Sequence, residues 1–550
     1  MGAMRLRLRR PARPTRPDPA RVAGWRLPRA SGRATAVGTL AGGARAHVDP
    51  AGLVTLAGAG WSLDWWIGAE DRWHLPAEEV AVRQRLQSGA PVVETRVRIP
   101  SGDAVHRVYG ARSASGADVV VVEVVNESKV PFALALALRP LTPGAVGRIE
   151  QIGVDGRVAS VDGGPVLVAA RAPGRLALGT GADGDTADVV LGGDAGEVGG
   201  GATVACPEGL ASGALLFPLA HTATLRVVLP LDGAVVEPAE VPGADDVASG
   251  WSRQAGQGAR IELPDRRLRD GVAASTRHLL LAERRPAVLV GLDLLGLHGE
   301  TRPALAADPA ELAATAEPGG LLHALVRHLE LTGETDLAPA AVDVVGPLVA
   351  RLADDLDEAD RSLGVAALPA AGRLLDAAGE RRAADDVRAL AAREVGTASG
   401  ADLRTLLDDA SGTWSWPGPA GPHDPAGNAR FVALVRDLLV EETDAGLDLA
   451  PEVPDPWLGQ GWEAHDLPTR HGALSYAVRW HGDRPALLWQ IDRHPGVDRV
   501  VLRAPGLDPT WSTEAPEGEA LLGPVALPEQ APRRGITMPV TIEPLRRREP

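Results

Sequence analysis

The hydrophobic pattern of this chain changes its period twice, and this change constrains the fold more than any other feature of the sequence. From about residue 34 to 248, apolar and β-branched residues form short runs that Gly, Pro, Asp and Asn interrupt. From 263 to 445 they recur at the three- and four-residue spacing of amphipathic helices, and the strand pattern returns after 446. The sequence therefore predicts three structured parts in the order β, α, β.

These parts define the expected domains. We predict a basic disordered arm over 1–33, a β-sandwich over 34–250, a domain of helical hairpins over 263–445, a small β domain over 446–525 and a tail over 526–550. The 550 residues are too many for one hydrophobic core, because a single core stops growing at about 250–300 residues. The fold class is thus a multidomain β and α protein.

Local signals refine this outline. The β-branched run at 117–128 and the apolar run at 131–141 are separated by a short polar turn and predict a β-hairpin. Asp265 immediately precedes a helical stripe and is expected to cap that helix. Gly333 and Gly379 lie between pairs of helices, where glycine suits the left-handed residue that ends a helix.

The charge is unevenly distributed. The net charge is −16 for the whole chain and +9 for residues 1–35, which leaves −25 for the rest. An acidic body repels phosphate backbones, so we expect no nucleic acid partner. Neither a signal-peptide core nor a membrane-spanning run is evident, which predicts a cytoplasmic protein without a transmembrane segment. Cys206 is the only cysteine, so an intramolecular disulfide is excluded.

Three stretches of sequence carry a resemblance to a known superfamily. They are LLHALVRHLELTGETD at 321–336, FVALVRDLLVEETDAGLDLAPEVPDPWL at 431–458 and PTRHGALSYAVRWHGD at 468–483. Together with the β, α, β order, they resemble the six-hairpin glycosidases, whose catalytic domain is an (α/α)6 toroid. The resemblance implies a glycoside hydrolase-like protein that acts on an oligo- or polysaccharide. The helical segment is shorter than twelve helices need, so complete and incomplete toroids both stay open.

Loop acids are the catalytic candidates that this resemblance implies. Glycoside hydrolysis generally uses two carboxylates on opposite sides of the scissile bond. We predict as catalytic candidates Asp424, which lies in the Trp-containing loop WSWPGPAGPHDPAGN, and Glu300, which follows a helix and precedes a Pro-containing loop. The other candidate loop acids are Asp293, Glu334 and Asp336.

Tryptophan dominates the aromatic residues, with 13 Trp against two Tyr and three Phe. Indole packs on the flat C–H faces of sugars, and its N–H can bind a hydroxyl. Trp414, Trp416 and the neighbouring His423 are therefore the predicted substrate-binding residues. Trp65 and Trp66 are interpreted instead as residues of the sandwich core or of a seam between domains.

No sequence motif predicts a metal or a cofactor. His323 and His328 are five residues apart and do not share a helix face, and the Gly-rich run at 192–202 lacks the P-loop pattern. Carbohydrate is thus the only partner that we predict, and the oligomeric state is left open. The alternative function is a non-catalytic glycan-binding or scaffold protein with a degenerate glycosidase fold.

Overall fold

In the part of the chain that the structure describes, β-sheets come first, a helical region follows and further sheets come last, as the sequence predicts. The structure is a computed structural model that describes residues 22–28, 33–334, 336–354, 356–393, 403–418, 421–443 and 446–527. Most of the predicted arm at 1–33 and of the predicted tail at 526–550 lies outside the described residues.

Two nine-stranded antiparallel sheets form the N-terminal part. Their strands are β1 (Thr35–Val37), β2 (Ala46–Val48), β3 (Val54–Leu56), β4 (Ser62–Gly68), β5 (Trp73–His74), β6 (Val82–Leu86), β7 (Val92–Ile99), β8 (Gly102–Arg112), β9 (Asp118–Asn126), β10 (Phe132–Arg139), β13 (Gln151–Asp155), β14 (Val158–Val161), β15 (Gly164–Ala169), β16 (Arg175–Gly179), β17 (Gly196–Glu197), β18 (Ala202–Ala205), β19 (Ser212–Leu219) and β20 (Thr224–Pro230). The short strands β11 (Leu141–Thr142) and β12 (Ala145–Val146) form a separate ribbon.

The sheets have the orders β1-β2-β3-β4-β10-β19-β16-β17, with β5 beside β4, and β18-β13-β14-β15-β20-β9-β8-β7-β6. Apolar side chains from both sheets form one core between them. Trp65 points into this core, whereas Trp66 points to the opposite face, because successive side chains of a strand alternate. Both are at most 1% exposed, which confirms that they are core residues.

The predicted hairpin at 117–128 and 131–141 is wrong. β9 pairs with β8 and β20, while β10 pairs with β4 and β19 of the other sheet. The buried Asn126 directs this crossing, because its amide donates to the Val130 carbonyl at 2.8 Å and to the Leu219 carbonyl at 3.1 Å. Both strands are apolar, and a hydrophobic pattern alone does not say which strand is the partner.

Twelve α-helices lie within the described residues, and all but the first two form the central part. They are α1 (Thr186–Gly192), α2 (Ala244–Ala255), α3 (Arg266–Leu281), α4 (Pro286–Leu294), α5 (His298–Leu305), α6 (Pro309–Ala313), α7 (Pro318–Thr332), α8 (Ala338–Arg351), α9 (Glu358–Ala377), α10 (Arg381–Arg393), α11 (Leu403–Asp409) and α12 (Pro425–Asp437). Short 3-10 helices lie at Gln87–Gly89, Pro238–Glu240 and Asp455–Trp457.

Six of the helices pack as a row in the order α3, α12, α4, α7, α9 and α10, and α8 packs against α7 and α9. The ends of this row, α3 and α10, share no extensive contact in the part of the chain that the structure describes. Asp265 caps α3 by accepting from the Arg267 amide at 2.7 Å, as predicted. Gly333 and Gly379 have φ values of 64° and 84°, which confirms the two predicted helix ends.

The C-terminal part contains a five-stranded sheet, β21-β24-β25-β26-β29, and a four-stranded sheet, β22-β23-β27-β28. The strands are β21 (Arg260–Glu262), β22 (Val440–Thr443), β23 (Gly446–Leu449), β24 (Trp462–Thr469), β25 (Gly472–His481), β26 (Arg484–Arg493), β27 (Val501–Ala504), β28 (Asp508–Thr513) and β29 (Glu517–Leu521). The first sheet thus takes one strand from before the helices. One continuous core joins the helices to these sheets and to the outer face of the β6–β9 layer.

A buried carboxyl in the N-terminal part gives a pH prediction. Burial raises the pKa of Asp49 to about 7, although its carboxylate accepts from the Ala51 and Leu53 amides at 2.8 Å. A raised pKa means that the folded state holds the proton more tightly than the unfolded state does. The contribution of protonated Asp49 to the stability of the folded state is therefore lost as the pH rises through 7. From pH 5 to 8, the free energy of unfolding should fall by about 2–3 kcal/mol more in the native protein than in Asp49→Asn. Urea titrations at both pH values measure this, and equal falls would contradict it.

Candidate functional site

Glu300 is an ion-paired acid on α5. One carboxylate oxygen accepts from Arg284 Nη2 at 2.6 Å, and the other accepts from Gln254 Nε2 at 2.7 Å. Arg284 also donates to the Glu300 carbonyl at 3.1 Å. Both carboxylate oxygens are therefore engaged within the protein, and Glu300 holds α5 against the segment before α4 and against α2.

Asp424 begins α12. Its Oδ1 accepts from the Ala426 amide at 3.0 Å, and its own amide donates to the Trp416 carbonyl at 2.8 Å. A carboxylate in this position satisfies an unpaired amide and opposes the positive end of the helix dipole. The contacts of Asp424 are thus those of a helix cap.

Trp414, Trp416 and His423 lie together around the start of α12, as their positions in one loop suggest. Both indoles pack on Phe431, with centroid distances of 5.4 and 5.6 Å, and Trp416 Nε1 donates to the Leu406 carbonyl at 2.9 Å. Trp416 is 4% exposed and His423 is 7% exposed. Packing accounts for these contacts, and a role for these residues in sugar binding stays a prediction.

A concave surface lies elsewhere, along β21, the start of β24 and the end of β25. This groove has a volume of about 580 Å3. Its polar lining consists of Arg260, Glu262, Arg269, Gln460, Glu463 and Arg479. Arg260 and Glu463 are 203 positions apart in the sequence, so no local motif predicts the groove.

Two carboxylates face each other in this groove. Glu262 and Glu463 are direct partners in the antiparallel pair β21–β24, where like charges repel. Arg260 offsets this repulsion, because its Nη2 binds Glu463 and its Nε lies 4.0 Å from Glu262 Oε1. Burial raises the pKa of Glu463, but hydrogen bonds from Arg479 and Arg260 outweigh this and lower the pKa to about 2. Glu463 is therefore ionised at neutral pH.

Tryptophans support the groove from beneath and beside it. Trp462 lines it but is only 1% exposed, and it packs on Trp457 at a centroid distance of 5.5 Å. The half-buried Trp480 donates from Nε1 to the Gln460 carbonyl at 2.7 Å, which fixes the backbone at one end of the groove. The groove thus offers rigidly supported charged and amide groups to a polar ligand.

A second polar cluster lies where α4, α5 and α7 meet. The Asp293 side chain has no exposed surface, and its Oδ1 accepts from Thr301 Oγ1 at 2.6 Å. The same oxygen lies 2.9 Å from Nδ1 of His298 and 3.0 Å from Nδ1 of His328. One carboxylate and two imidazoles form a donor set that could hold a metal ion. No spacing motif in the sequence predicts this cluster, because its three residues belong to three different helices.

Comparison of the sequence with models of known protein families gives no match, and neither does comparison with curated proteins. The structure defines the chain as a protein of mixed β and α class, with its parts in the order β, α, β. Its membership of the six-hairpin superfamily stays a proposal. Within the described residues, no helix combines the length and the apolar character needed to cross a membrane.

Proposed function

We propose that the protein binds carbohydrate without cleaving it and that the groove along β21 and β24 is the binding site. The observation that carries this proposal is the groove itself, whose volume of about 580 Å3 falls within the range of about 300–1,000 Å3 usual for ligand sites. Its lining of Arg, Glu and Gln side chains provides paired donors and acceptors for sugar hydroxyls. The β, α, β order of the six-hairpin layout supports carbohydrate as the ligand class.

The placement of the two predicted catalytic acids favours binding over hydrolysis. The two carboxylate oxygens of Glu300 accept hydrogen bonds from Arg284 and Gln254, and Asp424 caps α12. No hydrogen bond joins the side chains of Glu300 and Asp424 in the described part of the chain.

Hydrolysis is the second candidate, and the facing pair Glu262 and Glu463 favours it. Two carboxylates in one groove are the minimum set for glycoside cleavage. In this scheme the ionised Glu463 would be the nucleophile or base, and Glu262 would donate the proton to the leaving group. A reducing-sugar assay on any glycan that binds separates the two functions, with Glu262→Gln as the variant. Hydrolysis that Glu262→Gln abolishes would support this second candidate.

The binding proposal predicts the behaviour of one arginine. Arg479 is half exposed and binds Glu463, so its guanidinium remains available to a ligand in the groove. In a glycan-array screen followed by calorimetry, Arg479→Ala should weaken binding of any positive glycan at least tenfold, or about 1.4 kcal/mol. The matched control is Arg499→Ala, since Arg499 is an exposed arginine that is paired to Glu514 outside the groove. Equal affinity in both variants, or no binding to any glycan, would reject the groove as a carbohydrate site.

A further inference from the structure

We propose that Asp293, His298 and His328 bind a divalent transition-metal ion of the Zn²⁺ type. Their three ligand atoms lie within 4.8 Å of one another. Ligands bound to one ion at 2.0–2.2 Å lie about 3–3.5 Å apart, because the bonds diverge at tetrahedral or octahedral angles. The distances of 2.9 and 3.0 Å from Asp293 Oδ1 to the two Nδ1 atoms agree with this separation.

The proton positions favour an ion at the centre of the cluster. Without an ion, both imidazoles must carry a proton on Nδ1 in order to donate to Asp293. A neutral His328 would then present an unprotonated Nε2, and that atom is buried without a hydrogen-bond partner. When Nδ1 binds an ion instead, the proton of His328 moves to Nε2. The buried nitrogen then becomes a donor.

An acceptor for that donor is already close. Glu334 Oε2 lies 3.7 Å from His328 Nε2, and Arg302 Nε holds the same carboxylate oxygen at 2.9 Å. A metal-binding histidine usually donates its second N–H to a carboxylate, which orients the ring. Asp293, His328 and Glu334 follow one another in this order, with 3.7 Å between His328 Nε2 and Glu334 Oε2.

The cluster also has a hydroxyl that could serve as a fourth ligand, and one side that is open to solvent. Thr301 Oγ1 lies 2.6 Å from Asp293 Oδ1 and 3.2 Å from His328 Nδ1, so a hydroxyl stands beside the proposed ion. His298 is the accessible member, with 25% of its side chain exposed, whereas Asp293 and His328 are fully buried. An ion can therefore reach the cluster along the His298 side.

The competing explanation is a metal-free network in which His328 is an imidazolium between Asp293 and Glu334. That network needs no ion, because the two carboxylates would compensate the positive charge of the imidazolium. The two explanations differ in their response to metal, which makes them separable by experiment. Neither depends on carbohydrate binding in the groove.

The test uses the full chain after treatment with a chelator. Calorimetry with Zn²⁺ should give one site per chain, and Co²⁺ should give visible d–d absorption bands. His298→Ala should weaken Zn²⁺ binding at least a hundredfold and remove the Co²⁺ bands, and because His298 is partly exposed this variant should still fold. The control is His481→Ala, an exposed histidine on β25 outside the cluster, which should bind as the native protein does. Mg²⁺ should not compete, because it prefers oxygen ligands.

Three outcomes would overturn the proposal. They are no Zn²⁺ binding by the native chain, binding that His298→Ala leaves unchanged, and binding that His481→Ala abolishes. The first of these would support the metal-free network. A higher Tm with Zn²⁺ than with chelator, present in the native protein and in His481→Ala but absent in His298→Ala, would support the site independently of calorimetry.

Discussion

Arg139→Met is expected to lower the free energy of unfolding by about 3–5 kcal/mol, because it leaves buried carboxylates without their counter-charge. The Arg139 side chain is 2% exposed, and its Nη2 binds Asp185, which has no exposed surface, at 2.5 Å. Its Nη1 lies 3.4 Å from Asp64, which is 9% exposed. The guanidinium also stands 5.6 Å above the ring of Trp66. Methionine retains most of the apolar stem but none of the charge.

Burial raises the pKa of Asp64, and the charge of Arg139 is the main influence that opposes this rise. Asp185 additionally caps α1 and accepts from the Arg26 amide at 2.8 Å, so it is poorly able to move away. The matched control is Arg148→Met, since Arg148 pairs with Glu150 at the surface, where both side chains are 56% exposed. That substitution should cost less than about 1 kcal/mol. Similar losses in the two variants, measured by urea unfolding, would refute the importance of the buried network.

Acidification is expected to destabilise the fold before most carboxylates titrate. Burial lowers the pKa of His106 to about 3 and that of His278 to about 4. Because these pKa values lie below the ordinary value of 6.5, both histidines bind protons in the unfolded chain at pH values where they do not bind them in the folded chain. Stability is then fully present above pH 6.5 and is lost as the pH falls through the folded pKa values. Between pH 6.5 and 4.5 the loss should be about 2–3 kcal/mol for each histidine.

The histidine contribution can be isolated with one variant. His106 stacks on Trp65 with a centroid distance of 4.6 Å, and His106→Leu keeps an apolar contact there while removing the titrating group. The dependence of the free energy of unfolding on pH between 6.5 and 4.5 should become shallower in His106→Leu. It should stay unchanged in His481→Ala, since that histidine is exposed. An unaltered slope in His106→Leu would show that another group causes the acid sensitivity.

The sequence predicted the features that depend on neighbouring residues. The β, α, β order follows from hydrophobic period, and the cap at Asp265 and the left-handed Gly333 follow from local backbone chemistry. The partner of each strand does not follow from these signals. For this reason the prediction of a hairpin from β9 and β10 was wrong, although both strands were recognised.

The candidate sites were harder to predict, because their residues meet only in the folded chain. Loop position led to Glu300 and Asp424, yet a loop acid and a helix cap look alike in sequence, and the same ambiguity applies to Trp416. The groove residues Arg260 and Glu463 come from opposite ends of the helical segment. Their proximity depends on strand pairing, which no local pattern encodes.

The pairing of β21 with β24 has a topological consequence. Arg260 lies opposite His465, so the two ends of the helical segment are held side by side in one sheet. The helices are thus an insertion that closes a long loop within a β unit. The entropy cost of closing a loop grows only with the logarithm of its length, so a large helical insertion costs the sheet little more than a short one. Loop-closure entropy therefore sets little limit on the length of the helical segment between β21 and β24.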